Sequence, residues 1–134
     1  MPIYYDSHMH TPLCKHAIGD PVEYAKTGIK KGLKGIIMTC HSPMPDGFSA
    51  DVRMAPDELS NYVQMVELAA KEMEGKIDVK LGLESDWFPG MECWLSKLHQ
   101  QADFHFILGS VHPFTREYKK ALEDQLGNGA LEKF

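Results

Sequence analysis

Five imidazoles and one carboxylate, His8, His10, His16, His41, His112 and Glu84, recur along this chain close behind the ends of apolar runs. Imidazole nitrogens and carboxylate oxygens are the donor types that suit zinc, manganese or iron, and a carboxylate can bridge two such ions. His8 and His10 stand two apart, and residues at that spacing in an extended segment project to the same side, so the pair can grip a single ion. Asp6 falls on that side as well and could orient the pair from behind. Divalent ions held close together lower the pKa of bound water and clamp a phosphoryl oxygen, so the chemistry implied is hydrolysis. Taken singly, each residue has an ordinary explanation. A His-x-His pair is often incidental, His41 can be a hydrogen-bonded structural histidine, and Glu84 can cap a turn. Their joint placement favours metal.

That placement depends on the elements between them. The β-rich run Ile3 to Asp6 predicts a first strand, followed by a loop from Ser7 to Asp20. Asp20 as N-cap and Pro21 at the first helical position open a helix, with Val22, Ala25, Ile29 and Leu33 at helical spacing. The apolar run Gly35 to Cys40 has the pattern of a parallel strand buried on both faces. A loop broken by Pro43, Pro45 and Gly47 leads to a second helix, about Pro56 to Met73. Strand three is expected at Ile77 to Leu83, helix three at about Met91 to Gln101, and strand four at Phe104 to Gly109. This βαβαβαβ order predicts an α/β fold with a parallel sheet and right-handed crossovers. His8 and His10 then follow strand one, His41 strand two, Glu84 strand three and His112 strand four. In (β/α) barrels that C-terminal face of the strands carries the active site.

A length of 134 residues suits one domain, residues 1–134. The formal charge of -5 argues against a nucleic-acid partner, which would need a basic stripe, and favours a small-molecule substrate. No apolar run approaches the ~20 residues that span a bilayer. The start Met-Pro-Ile-Tyr-Tyr-Asp lacks the basic and apolar regions of a signal peptide, so a cytoplasmic location is expected, with no membrane partner. Cys14, Cys40 and Cys93 are an odd number without framework spacing, which predicts reduced thiols and no disulfide. Cys14 and Cys40 neighbour the candidate ligands, but their spacing matches no Cys/His zinc motif. His99 reads as solvated helix surface, and His105 lies at the wrong end of strand four. The methionines, Trp87 and Trp94 read as packing. Lys15 and Arg53, both in loops on the histidine-bearing face, are the local candidates for substrate phosphate contact.

The segments Asp6-Ser7-His8-Met9-His10-Thr11 with His16, Thr39-Cys40-His41-Ser42-Pro43, Gly82-Leu83-Glu84 and Gly109-Ser110-Val111-His112-Pro113 resemble the PHP (polymerase and histidinol phosphatase) superfamily. Within it the chain is similar to the histidinol-phosphatase branch, of HisJ/HisK type. The resemblance implies the N-terminal part of a distorted (β/α)7 barrel, about four βα units, with up to three divalent metal ions in a complete barrel. It also implies hydrolysis of L-histidinol phosphate to L-histidinol and phosphate by a bridging hydroxide. Carried over by motif, His8, His10 and Glu84 would hold one ion, Glu84 and His112 a second, and His16 and His41 a third. Such barrels run to roughly 250 residues. Full members add a further histidine and an Asp-x-His motif, which no residues here match. Pro113 to Phe134 is polar and helical-looking and contains no histidine.

Three functions remain open from sequence: a histidinol-phosphatase, a PHP phosphoesterase of another substrate, or a non-catalytic remnant. On any of them, strands one and four are expected to be unpaired edges with apolar faces, a route to self-association. Sedimentation velocity at concentrations on the order of tens of micromolar should therefore reveal dimers or larger species. A clean monomer would contradict the expectation.

Overall fold

Asp20 accepts a hydrogen bond from the Glu23 amide at 2.9 Å, and the Glu23 carboxylate accepts one from the Asp20 amide at 2.9 Å. This reciprocal cap, with Pro21 in the first turn, starts α1 (Pro21–Lys30) where the sequence directs. The computed structural model describes residues 3–127. Its strands are β1 (Tyr5–Asp6), β2 (Gly35–Met38), β3 (Asp78–Asp86) and β4 (Phe106–Ser110). The remaining helices are α2 (Leu59–Glu72), α3 (Glu92–Leu98) and α4 (Arg116–Leu126).

All pairings are parallel and the strand order is β1-β2-β3-β4. Spatial order equal to chain order, with no reversal, is the arrangement of a barrel arc and not of a doubly wound sheet. Helix α1 packs on β2 and α2 on β3. Every residue of β2 is buried, as its continuous apolar run predicts, whereas both residues of β1 are exposed. The core lies between helices and sheet, around Ile36, Met38, Tyr62, Val66 and Leu83. Among the described residues, no helix is long and apolar enough to cross a membrane.

Several boundaries move. Only Tyr5 and Asp6 of the expected first strand pair with β2, and β2 ends at Met38 instead of Cys40. Helix three is shorter than expected, and β4 begins later and ends one residue beyond Gly109. Pro56–Glu58 forms a 3-10 turn ahead of α2. The largest change is in β3, which runs past Leu83 to Asp86 and so carries Glu84 inside the strand. An isolated parallel bridge between His41 and Glu84 extends the β2–β3 ladder to the same level. Helix α4 forms within the expected polar stretch and is followed by Gly127 at φ +87°, and residues 128–134 lie outside the described residues.

The expectation for the thiols is corrected. Cys14 and Cys40 are paired as a disulfide, with Cα atoms 6.4 Å apart. The loop after β1 lies back along the end of β2, where the Thr39 amide donates to the Met9 carbonyl at 2.8 Å. That return carries Cys14 to the interior beside Cys40, a closure that spacing along the chain does not reveal. Cys93 remains a free, exposed thiol. Two side-chain readings change as well, His99 from surface and Trp87 from packing. His99 is half-buried with Nε2 2.8 Å from the Ser85 hydroxyl, and Trp87 is 36% exposed beside Tyr118.

The strand ends are held together by one side chain of α2. The fully buried Tyr62 hydroxyl lies 2.9 Å from the carbonyls of both Met38 and Gly82, and accepts from the Cys40 amide at 3.3 Å. The two strands approach closely at that level, since a Cβ at Gly82 would meet the Met38 carbonyl at 2.8 Å. Burial in apolar surroundings also raises the Tyr62 pKa, so the hydroxyl keeps its proton to donate. Tyr62→Phe should destabilise the chain by about 1–3 kcal/mol, because buried groups lose their partner while the ring's packing is kept. Urea unfolding of the two proteins measures the difference, and unchanged midpoints would contradict the assigned role.

Candidate metal centre

Glu84 is 3% exposed and is ringed by imidazoles. Its Oε2 lies 3.1 Å from His8 Nε2, 3.3 Å from His10 Nε2 and 3.3 Å from His41 Nδ1, while Oε1 lies 3.7 Å from His112 Nε2. His16 joins from the loop after β1, its ring centroid 5.1 Å from those of both His10 and His41. All six residues singled out as donors therefore meet at one end of the sheet. Potential ligand atoms within 4.8 Å of one another form overlapping groups: His8, His10 and Glu84; His10, His16 and His41; and His41, Glu84, Asp86 and His112.

Backbone geometry orients some of these rings. His16 Nδ1 lies 2.7 Å from the Cys14 carbonyl, which can only accept, so Nδ1 carries the proton and Nε2 keeps its lone pair. Asp6 accepts from the backbone amide of His8 at 3.2 Å and thereby fixes the His-x-His segment through its main chain. His10 Nδ1 is buried with no hydrogen-bond partner. Burial, then the neighbouring His41, lower the His10 pKa to about 4; Glu84 opposes the shift, and His16 and His8 add to it. His10 is thus a neutral donor at neutral pH. The donor set itself fits a cation: His8 Nε2 and His10 Nε2 face Glu84 Oε2, and neutral imidazoles beside a carboxylate are the groups that bind a divalent ion. A second sulfur-containing group, His10 with Cys14 and Cys40, meets the same spacing, but the disulfide occupies both sulfurs.

Asp86 was not singled out from the sequence. It lies two residues after Glu84 on the extended β3 and so projects to the same face. The Glu-x-Asp spacing was the available signal, parallel to His-x-His, and was hidden by ending the strand at Leu83. Asp86 Oδ2 is 2.8 Å from His41 Nδ1 and 2.9 Å from Arg53 Nη1. Its Oδ1 is 3.0 Å from His112 Nε2 and accepts from the Ser110 hydroxyl. Burial opposes ionisation of Asp86, but His41, Ser110 and Arg53 together outweigh it and hold the carboxyl well below the usual range.

The two basic candidates are used differently from the expectation. Arg53 is 3% exposed, and its guanidinium is spent on Asp86, the Ser42 carbonyl and Ser49 instead of reaching outward to phosphate. The Lys15 ammonium donates to the Ala50 carbonyl, tying the loop after β1 to the loop after β2. A cavity of about 290 Å³ opens beside the histidines, with His16, His41, Arg53, Phe88 and His112 in its wall.

Parallel strands in chain order, with metal donors gathered at their C-terminal ends, define the class: an arc of a (β/α) barrel built around a candidate metal centre. Residues 6–132 match the PHP domain, and the chain belongs to that family. It is 43% identical over 107 residues to the "Probable histidinol-phosphatase" of Deinococcus radiodurans, covering 80% of this chain and 41% of the relative. It is 34% identical over 93 residues to the "Histidinol-phosphatase" of Bacillus subtilis, covering 65% of this chain and 35% of the relative. The chain thus spans about two fifths or less of the length of these relatives. A Listeria monocytogenes crystal structure described as a candidate histidinol phosphatase superposes with a TM-score of 0.70 at 22% identity. That overlap covers 81% of this chain and 44% of the other, and shows the fold: four parallel strands in a curled half-barrel with four helices.

His10 links the centre to acid stability. Its folded pKa of about 4 lies below the unfolded value of 6.5, so the unfolded chain takes up the proton first as pH falls. The stability due to neutral His10 is fully present above about pH 6.5 and is lost as pH falls through about 4. Denaturant midpoints of the metal-free protein between pH 7 and 4 should fall more steeply than those of His10→Gln. Parallel curves would contradict the assignment.

Proposed function

We propose that the chain serves metal-dependent phosphoric monoester hydrolysis, converting L-histidinol phosphate and water to L-histidinol and phosphate in L-histidine biosynthesis. The observation that carries this reading is the convergence of five histidines on the buried Glu84 in a PHP domain. Similarity to relatives named as histidinol-phosphatases supports the substrate. In this reading His8, His10 and Glu84 hold one divalent ion of zinc, manganese or iron, Glu84 and His112 a second, and His16 and His41 a third. When bound, such ions supply Lewis-acid chemistry that activates water and neutralises charge on the phosphoryl group.

The remaining work falls to the chain itself. Glu84 contributes to two of the three positions, which requires a carboxylate with both oxygens facing donors, as Oε1 and Oε2 do here. The His16 ring, held through Nδ1 by the Cys14 carbonyl, keeps Nε2 available. The adjacent cavity of about 290 Å³ suits a small ester better than a polymer, and the charge of -5 weighs against a nucleic-acid substrate.

Phosphate release from L-histidinol phosphate, with manganese or zinc added, tests the proposal against a Glu84→Ala protein prepared identically. The expected result is release that falls roughly a hundredfold or more in the variant, since a ligand to two ions is lost. Release no greater than that of the variant would overturn the proposal for this chain.

A further inference from the structure

The Asp86 side chain has no exposed surface, yet it is not an isolated structural ion pair. Each of its oxygens meets two polar hydrogen-bonding groups: Oδ2 faces His41 Nδ1 and Arg53 Nη1, and Oδ1 faces the Ser110 hydroxyl and His112 Nε2. We propose that Asp86, clamped by Arg53 and Ser110, is a positioning residue that sets the orientation of the His41 ring for metal. This rests on the metal-centre reading above and deepens it.

The two carboxylates of β3 differ in what they have to give. Glu84 is contacted by imidazoles alone, so ions can take their place between ring and carboxylate. The Asp86 lone pairs are already committed, and an ion could bind only by displacing Arg53, Ser110 or a histidine. With Nδ1 of His41 held by Asp86 at 2.8 Å, Nε2 is the ring's free donor, next to His10 and His16. Arg53 makes the arrangement rigid. Its Nη1 also donates to the Ser42 carbonyl at 2.8 Å, Nε donates to the Ser49 carbonyl at 3.1 Å, and the Ser42 hydroxyl in turn accepts from the Asp86 amide at 3.1 Å. Ser49 stands at φ +54°, a left-handed conformation costly for a residue with a side chain, and it forms part of the turn against which Arg53 folds. Buried Arg and Asp charges are tolerable only when paired and hydrogen-bonded in this way.

The test is metal binding, measured independently of phosphate release. Manganese stoichiometry and affinity, together with the visible spectrum of the cobalt-substituted protein, are compared for the unaltered chain, Asp86→Asn and Ser110→Ala. Ser110→Ala removes one hydrogen bond at a partly exposed edge-strand position and spares every proposed ligand, so it guards against misfolding of the first variant. The expected result is an unchanged number of ions per chain, affinity weakened roughly tenfold to a hundredfold in Asp86→Asn and less in Ser110→Ala, and a shifted cobalt spectrum. Affinities within twofold of the unaltered chain, even with a lower melting temperature, would make Asp86 purely structural and overturn the proposal. Loss of an ion in Asp86→Asn would make it a ligand and overturn it equally. If the unaltered chain bound no metal, the metal-centre reading would fail and this proposal with it.

Discussion

A carboxylate buried among imidazoles is the constraint on which the end of this sheet depends. Glu84 has almost no contact with solvent, and its oxygens face His8, His10, His41 and His112. Placing so many polar groups at the rim of an apolar core is costly unless each finds a partner. The protein supplies partners for some: the Cys14 carbonyl for His16, and Asp86 for His41 and His112. It leaves His10 Nδ1 with none. The facing nitrogens and oxygens, gathered within 4.8 Å of one another, form a donor set that a cation would hold together.

The rest of the fold serves this convergence. Parallel pairing brings the ends of β2, β3 and β4 to one level, and the His41–Glu84 bridge fixes their register where it matters. Tyr62 ties β2 to β3 just below that level, and the disulfide between Cys14 and Cys40 holds the His16 loop against the end of β2. Beneath the site, Arg53 joins the loop after β2 to the end of β3 through Asp86. Precision at the donors thus comes from contacts between elements distant in sequence and adjacent in the sheet.

Those distances along the chain explain what could be read beforehand. The buried strand β2 and the start of α1 were legible because both are local: an apolar run and an Asp-Pro pair each carry their own physics. The convergence of the six candidate donors was legible because most of them follow or end an apolar run, and runs that build parallel strands deliver their ends to one face. Asp86 was missed because the apolar signal stops at Leu83, although pairing with β4 carries the strand three residues further. Arg53 was read as a candidate for phosphate contact, since nothing in its loop announces the buried carboxylate that it meets. The disulfide was missed for the same reason: its two sulfurs are 26 residues apart in the chain and are brought together only when the loop folds back.

The central claim is that these strand ends form one polynuclear metal centre. Anomalous diffraction from crystals grown with manganese, collected at energies bracketing its absorption edge, tests it most directly. The account predicts more than one strong anomalous peak, with Glu84 coordinating two of them and His10, His16 and His41 lining the inner side. Crystals with no peak among these side chains, while the ring of imidazoles around Glu84 stays intact, would contradict it.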